Sequence, residues 1–167
     1  MRQCSMSLIR EVAEVFRSNF AHDGIVIHAG EGASDAGGGY LGVERLGSLG
    51  IEIGLGRKMP DIVLLDRTRN RLFLVETETG HGPWDERRRS ELSELFSASS
   101  AEVVYVSAFR TRSGLSECAL ELPWETVAWI AEEPAHLIHF DGGLLLGPYL
   151  GKEQQLAPGT TPVMPRS

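Results

Sequence analysis

Two apolar stretches of equal length, separated by four polar residues, constrain the fold of this chain more than any other feature. The first occupies residues 59–66, the second occupies residues 71–78, and residues 67–70 form the polar connection. Runs of this length that are rich in Val, Leu, Ile and Phe and bounded by turn residues predict two adjacent β-strands. Because the connection is short, we expect a hairpin, in which the start of the first strand lies beside the end of the second.

Carboxylates occur at the rim where those two strand ends meet. Asp61 begins the first strand and Glu76 lies near the end of the second, so we expect the two side by side. By the alternation of a strand, Glu78 is expected on the same face as Glu76. Neighbouring carboxylates repel each other unless a cation lies between them or one stays protonated. The pattern therefore predicts either a hard-metal site with oxygen ligands or an acid–base pair.

A structural interpretation of the same carboxylates remains open. Glu78 would then lie past the sheet edge in solvent, and Asp61 would merely begin its strand. Asp66 opens the polar connection and is interpreted as a turn residue.

The composition indicates one soluble globular domain. The 167 residues are 42% hydrophobic and 23% charged, which is enough for a sizeable core. The formal net charge of -7 argues mildly against a protein that coats nucleic acid, although a metal-dependent nuclease can be acidic because its site needs carboxylates. Cys4 and Cys118 have no metal-ligand spacing, which favours free thiols in a reducing cytoplasm. We predict neither a signal peptide nor a membrane span.

The order of the remaining elements predicts an α/β fold with a mixed central sheet flanked by helices. The predicted elements, in chain order, are a helix over residues 7–20, a strand over 24–29, a turn and short strand over 46–55, the hairpin, a helix over 84–96, a strand over 102–109, a polar loop over 110–116, and strands over 126–131, 136–140 and 144–146. We expect the 102–109 strand to lie parallel to a hairpin strand, because a helix connects them.

The other segments predict less chemistry. The glycine-rich residues 30–42 fit no phosphate-binding pattern and indicate a flexible loop, or one that becomes ordered on a ligand. Residues 151–167 predict a disordered tail, so the domain is expected over residues 1–150.

Trp124 and Trp129 are predicted in the core. His136 and His139 are expected on opposite faces of a strand, which disfavours a shared metal.

Basic side chains follow the carboxylates closely in the sequence. His81 lies between two glycines and is either incidental, a phosphate contact or a proton carrier. Arg87, Arg88 and Arg89 form either a solvated helix face or a group that holds a phosphate. On the first helix, Glu11 and Glu14 are interpreted as a solvated face, although a helix carboxylate can reach a metal.

Several separated stretches resemble the catalytic domain of the BsuBI/PstI family of type II restriction endonucleases. They are residues 59–63, 72–76, 79–83, 87–88, 106–109, 124–134 and 136–140, in that order. The resemblance implies the PD-(D/E)XK nuclease fold, with a core of αβββαβ order, and magnesium-dependent hydrolysis of duplex DNA. It implies that Asp61 and Glu76 bind Mg²⁺.

The same resemblance extends to partners and further site residues. It implies that the enzyme cuts a CTGCAG-type palindrome as a homodimer. Because Lys58, His81, Arg87 and Arg88 lie close to the carboxylates in the sequence, we expect them to contact DNA or phosphate. In the usual nuclease pattern a lysine stands where this chain has Glu78. Some restriction endonucleases carry glutamate there, so we expect Glu78 to be catalytic, with Lys58 or one of Arg87, Arg88 and Arg89 supplying positive charge.

Two alternatives remain beside this hypothesis. The family's full-length enzymes carry an additional N-terminal helical region, whereas this chain starts almost directly at the catalytic domain. The first alternative is a catalytically silent DNA-binding or protein-interaction module that retains the nuclease fold. The second is a nuclease that acts on RNA or on single strands.

Overall fold

A computed structural model describes residues 7–30, 40–54, 58–80 and 82–141. Four features predicted from the sequence lie wholly or mainly outside those residues. They are His81, the glycine-rich loop except at its two ends, the strand over residues 144–146 and the tail over residues 151–167.

One mixed sheet of seven strands forms the centre of the molecule, in the order β2-β1-β3-β4-β5-β6-β7. The strands are β1 Ile25–Ala29, β2 Tyr40–Leu41, β3 Ile62–Asp66, β4 Arg71–Thr77, β5 Glu102–Phe109, β6 Thr126–Ile130 and β7 Leu137–Phe140. β3 and β4 form the predicted antiparallel hairpin, and β4 and β5 are parallel, which confirms both expectations. β5 and β6 are also parallel, whereas the other neighbouring pairs are antiparallel.

Within the described residues, four helical segments accompany the sheet. The first, α1, is α-helical over Leu8–Glu11, π-helical over Val12–Phe16 and α-helical again over Arg17–Phe20. The others are α2 Val43–Ser48, α3 Glu86–Leu95 and α4 Arg112–Cys118. Apart from β2 and α2, the chain order is α1, the antiparallel strands β1, β3 and β4, then α3 and the parallel strand β5, as the sequence predicted.

Apolar side chains bury both faces of the sheet. On one face, Phe16 of α1 meets Phe73 and Trp129 edge to face, with ring centroids 5.4 Å and 5.7 Å apart. On the other face, Leu92 and Phe96 of the α3 region pack in a cluster with the alternate residues of β3 and β4. The sheet is therefore covered on both sides, and its strand ends are where polar groups can meet a substrate.

Two predicted loop or strand segments are helices instead. The segment over residues 46–55 contains the predicted turn, at residues 49–50, but the predicted strand is wrong, because α2 occupies the start of the segment and its described remainder contains no strand. The polar loop predicted over residues 110–116 is wrong because α4 begins there, with Oγ1 of Thr111 accepting from the Gly114 N–H. Each helix has only six or seven residues and contains a glycine, so the sequence shows too few turns to reveal a helical period.

The two tryptophans near β6 differ in burial. Trp129 is fully buried, as predicted, but the prediction for Trp124 is wrong because 66% of its surface is exposed. Trp124 lies in the turn that precedes β6, beside Glu125, whose φ is 59°. A side chain in such a turn projects from the protein rather than between the sheet and its helices.

Asp66 is the turn residue that the sequence predicted. Its Oδ1 accepts from the N–H groups of Thr68 and Arg69, which closes the connection between β3 and β4. Burial opposes ionisation of this carboxyl, but the hydrogen bonds and charge of Arg69, with the Thr68 N–H, outweigh it and lower the pKa of Asp66.

No helix within the described ranges has both the length and the apolar character needed to cross a membrane.

Candidate functional site

The predicted carboxylate pair forms at one end of the β3–β4 hairpin. Ile62 pairs with Val75, so the next residues outward are Asp61 and Glu76. The backbone N–H of Asp61 donates to Oε2 of Glu76 over 3.2 Å. Asp61 is 3% exposed and Glu76 is 0% exposed. The hairpin therefore brings two buried carboxylate residues together, as the sequence predicted.

Thr77 holds the carboxylate of Asp61. Its backbone N–H and its Oγ1 hydroxyl both donate to Oδ2 of Asp61, each over 2.8 Å. Gly80 closes the turn behind Thr77, because its N–H donates to Oγ1 of Thr77 over 3.0 Å. Gly80 also lies so close to Asp61 that a methyl group at Gly80 would overlap the carboxylate. The side chain of Asp61 thus has one orientation imposed by its neighbours.

Arg88 holds the carboxylate of Glu76. Its Nε donates to Oε1 of Glu76 over 2.8 Å, and its other nitrogens donate to the carbonyls of Lys58 and Met59. Burial raises the pKa of Glu76 and the charge of Asp61 raises it further, whereas the Arg88 hydrogen bond and charge oppose that rise. The net direction is upward, and burial is the largest cause of the raised pKa.

The two carboxylates fit a hard divalent cation. Asp61 and Glu76 lie side by side, and Arg88 forms an ion pair with Glu76. Mg²⁺ prefers oxygen ligands and is commonly held by one or two carboxylates together with waters and substrate phosphates. No group of three or more His, Cys, Asp or Glu side chains in the described ranges is arranged to hold a metal.

Glu78 lies in a different environment from Asp61 and Glu76. It follows the end of β4, its N–H donates to the carbonyl of Ala108, and its Oε1 accepts from the Arg110 N–H over 2.7 Å. Its carboxylate also lies against Gly114, where a methyl group would overlap it. These contacts place Glu78 at the junction of β5 and α4, half-buried rather than in solvent. The catalytic role that the sequence predicts for Glu78 stays a prediction, and its contact with the Arg110 N–H favours a structural role as the competing expectation.

The three consecutive arginines have different surroundings. Arg88 is 16% exposed and faces Glu76. Arg87 is 87% exposed and pairs with Glu91 over 3.0 Å. Arg89 reaches Glu125 and lies over the ring of Tyr105 at 5.4 Å. Only one of the three therefore contacts a predicted metal ligand.

Arg87 and the exposed Lys58 line a surface cleft beside the carboxylate pair, with a volume of about 290 Å³. Gly82, Pro83, Asp85, Arg88 and Glu91 also line it. Arg88 belongs both to this cleft and to the Glu76 ion pair, so it connects the cleft with the carboxylate pair.

Sequence reasoning missed several residues around the site. Thr77 and Gly80 carried no signal, because a threonine inside a strand and a glycine in a turn are ordinary. The sequence also did not reveal that Asp85 caps α3. Oδ1 of Asp85 accepts from the Arg88 N–H over 2.6 Å. Glu11 was interpreted as solvated, but it forms an ion pair with Arg110 over 2.9 Å.

Comparison with known proteins points in the same direction as the geometry. Residues 3–143 match the family defined as the BsuBI/PstI restriction endonuclease domain. The chain is 41% identical over 142 residues to the type II restriction enzyme BsuBI of Bacillus subtilis, covering 85% of this chain and 44% of that protein. It is 36% identical over 83 residues to the type II restriction enzyme AplI of Arthrospira platensis, covering 50% of this chain and 26% of that protein.

A solved structure gives the same result for the fold. The structure of SdaI restriction endonuclease superposes with a TM-score of 0.73 at 36% identity, covering 83% of this chain and 43% of that chain. The chain spans less than half the length of these relatives. The α/β restriction-endonuclease fold is thus shared over most of this chain.

Proposed function

Because the chain belongs to the BsuBI/PstI restriction endonuclease domain family, we propose that it hydrolyses phosphodiester bonds of duplex DNA as a magnesium-dependent, type II restriction enzyme-like endonuclease. The observation that carries this proposal is the buried Asp61–Glu76 pair at the end of the β3–β4 hairpin. Two buried carboxylates held side by side suit a divalent cation better than they suit an apolar core.

In this proposal Asp61 and Glu76 are the protein ligands of Mg²⁺. When bound, the ion supplies Lewis-acid polarisation of the scissile phosphate and lowers the pKa of a water molecule for attack. The Asp61 N–H keeps Oε2 of Glu76 in a fixed position.

Arg88 supplies the positive charge that a lysine gives in the usual nuclease pattern. Of Lys58 and the three arginines, Arg88 is the residue whose guanidinium contacts Glu76, and it also reaches the cleft. A charge-assisted hydrogen bond of this kind orients the carboxylate, and the guanidinium stabilises negative charge that develops on a phosphate.

DNA binding involves the basic rim of the cleft. Lys58 and Arg87 are exposed there and are suited to phosphate oxygens, with His81 as a further proposed phosphate contact. The formal net charge of -7 requires such a local cluster, because the surface as a whole repels DNA. Cleavage of a palindrome would use a homodimer in the cytoplasm, since a two-fold site suits a two-fold protein.

Incubation of the pure protein with supercoiled plasmid and Mg²⁺ tests the proposal. We expect cleavage that stops with a chelator, and that is abolished in Asp61→Ala and in Glu76→Ala because each removes a ligand of one ion. Glu102→Gln is the matched control, since Glu102 is an exposed carboxylate at the other end of the hairpin, where it pairs with Arg71. The proposal would be contradicted if the wild type left the plasmid uncut under conditions in which a related enzyme cuts it.

A second candidate is a silent DNA-binding module that retains the nuclease fold. The observation that favours it is Glu78, which stands at the lysine position and is bound to the Arg110 N–H. A silent module would bind duplex DNA equally well with and without a divalent metal and would leave it intact. Parallel assays with single-stranded DNA and RNA separate duplex cleavage from activity on other substrates.

A further inference from the structure

We propose that Thr77 is a positioning residue for the metal ligand Asp61, and that the turn over residues 77–80 fixes the direction of its carboxylate. This inference rests on the proposed function, because it assigns a role toward the metal. It concerns Thr77 and Gly80, to which neither the sequence pattern nor the resemblance assigned a role.

The hydrogen bonds around Thr77 determine where its hydroxyl proton points. Oγ1 of Thr77 accepts from the N–H of Gly80, so its own proton is directed to Oδ2 of Asp61. The backbone N–H of Thr77 donates to the same oxygen. Thr77 is fully buried, so water does not compete for these bonds. Oδ2 therefore receives two donors from one residue, which fixes the plane of the carboxylate.

Asp61 is held from both sides by adjacent residues of β4. Glu76 accepts from the backbone N–H of Asp61, while Thr77 donates to the carboxylate of Asp61. The two halves of the proposed metal site are thereby linked, because a shift of Thr77 moves Asp61 relative to Glu76. Partners that orient a metal ligand in this way commonly affect metal affinity by about 10–100-fold.

Gly80 completes this arrangement by having no side chain. The turn brings Gly80 against the carboxylate of Asp61, where a methyl group would overlap the oxygens. Gly80→Ala therefore has to displace either Asp61 or the turn. Gly80 itself is exposed, so the added methyl group meets the Asp61 carboxylate and not an apolar side chain.

Calorimetric titration of Mn²⁺ into the purified protein without DNA tests the inference independently of cleavage. Thr77→Val keeps the shape of the side chain but removes the hydroxyl donor, so we expect the metal Kd to rise by about 10–100-fold. Thr77→Ser restores the donor and should return the Kd close to the wild-type value. Thr126→Val is the matched control, because Thr126 is a buried threonine whose hydroxyl donates to the Pro123 carbonyl instead.

The outcomes separate this inference from the proposed function. A folded Thr77→Val variant that binds Mn²⁺ as tightly as the wild type would overturn the positioning role and leave the function standing. A wild type that binds no metal would overturn the function, and with it the role of Thr77. If Thr77→Val does not fold, Gly80→Ala gives the same decision: weaker metal binding supports the inference, and wild-type binding contradicts it.

Discussion

The guanidinium of Arg88 donates from Nε to Oε1 of Glu76 over 2.8 Å, and its other nitrogens bind the carbonyls of Lys58 and Met59. One arginine of α3 thus connects the end of β4 with the segment that leads into Asp61. Because Glu76 is fully buried, this ion pair is shielded from solvent on the side of the carboxylate. The arginine therefore serves both the fold and the electrostatics of the proposed site.

Loss of Arg88 is expected to destabilise the folded protein, and Mg²⁺ is expected to restore part of that stability. Removing one partner of a buried ion pair leaves an uncompensated charge, so Arg88→Ala should lower the free energy of unfolding by about 3 kcal/mol. Urea denaturation with and without Mg²⁺ measures this, and Mg²⁺ should stabilise the variant by binding the folded state. Arg87→Ala, at the exposed neighbour, is the control. Equal losses in the two variants would argue against the assignment.

Glu78 is expected to act through its contact with the Arg110 N–H rather than in the chemical step. Glu78→Gln keeps an acceptor oxygen for that N–H, so plasmid cleavage should fall by less than about tenfold, a barrier change of about 1.4 kcal/mol. Glu78→Ala removes the acceptor and should also lower the melting temperature. A Glu78→Gln protein of unchanged stability with no cleavage would instead favour the catalytic role expected from the sequence.

Asp66 is expected to make stability depend on acid pH. Its folded pKa is lowered from 3.8, so its stabilising contribution is present above the unfolded value and is lost as pH falls through the folded pKa. Asp66→Ala should cost about 2 kcal/mol near neutral pH, because it removes hydrogen bonds to a charged group. Denaturant unfolding of both proteins across the acid range should show this difference shrinking below pH 3.8. A difference that stays constant across that range would contradict the expectation.

Lys58 and Arg87 are expected to contribute to DNA affinity without sequence preference. Neutralising either one should reduce the slope of log affinity against log salt by about 1, because one phosphate contact and its released counterion are lost. Binding of labelled duplexes without divalent metal over a salt series gives the slope. Arg71→Ala removes a partly exposed positive charge at the far end of β4 and should leave the slope unchanged. An effect of Arg71→Ala as large as that of Arg87→Ala would indicate diffuse attraction instead.

The sequence predicted the hairpin and its carboxylates because long apolar runs with a polar turn leave little choice of pairing. It did not reveal α2 and α4, whose helical state depends on burying single leucines, Leu46 and Leu115, against the sheet. A helix of six or seven residues gains most of its stability from such packing, which local sequence does not show.

The sequence also left open which of the three arginines faces the site. That choice follows from where α3 begins, and Asp85 sets the beginning by accepting from the Arg88 N–H. The part played by Thr77 was hidden for a similar reason, since its hydroxyl acts across the hairpin on a residue 16 positions away. Such orientations depend on tertiary geometry, whereas the nearness of Asp61 and Glu76 depends on strand register alone.

Divalent-cation binding at the Asp61–Glu76 pair is the claim on which the other assignments depend, and calorimetric titration of Mn²⁺ measures it most directly. The wild type and Glu102→Gln should both bind the ion, while folded Asp61→Ala and Glu76→Ala should lose that binding. Unchanged Mn²⁺ affinity in folded Asp61→Ala, or no binding by the wild type, would contradict the account.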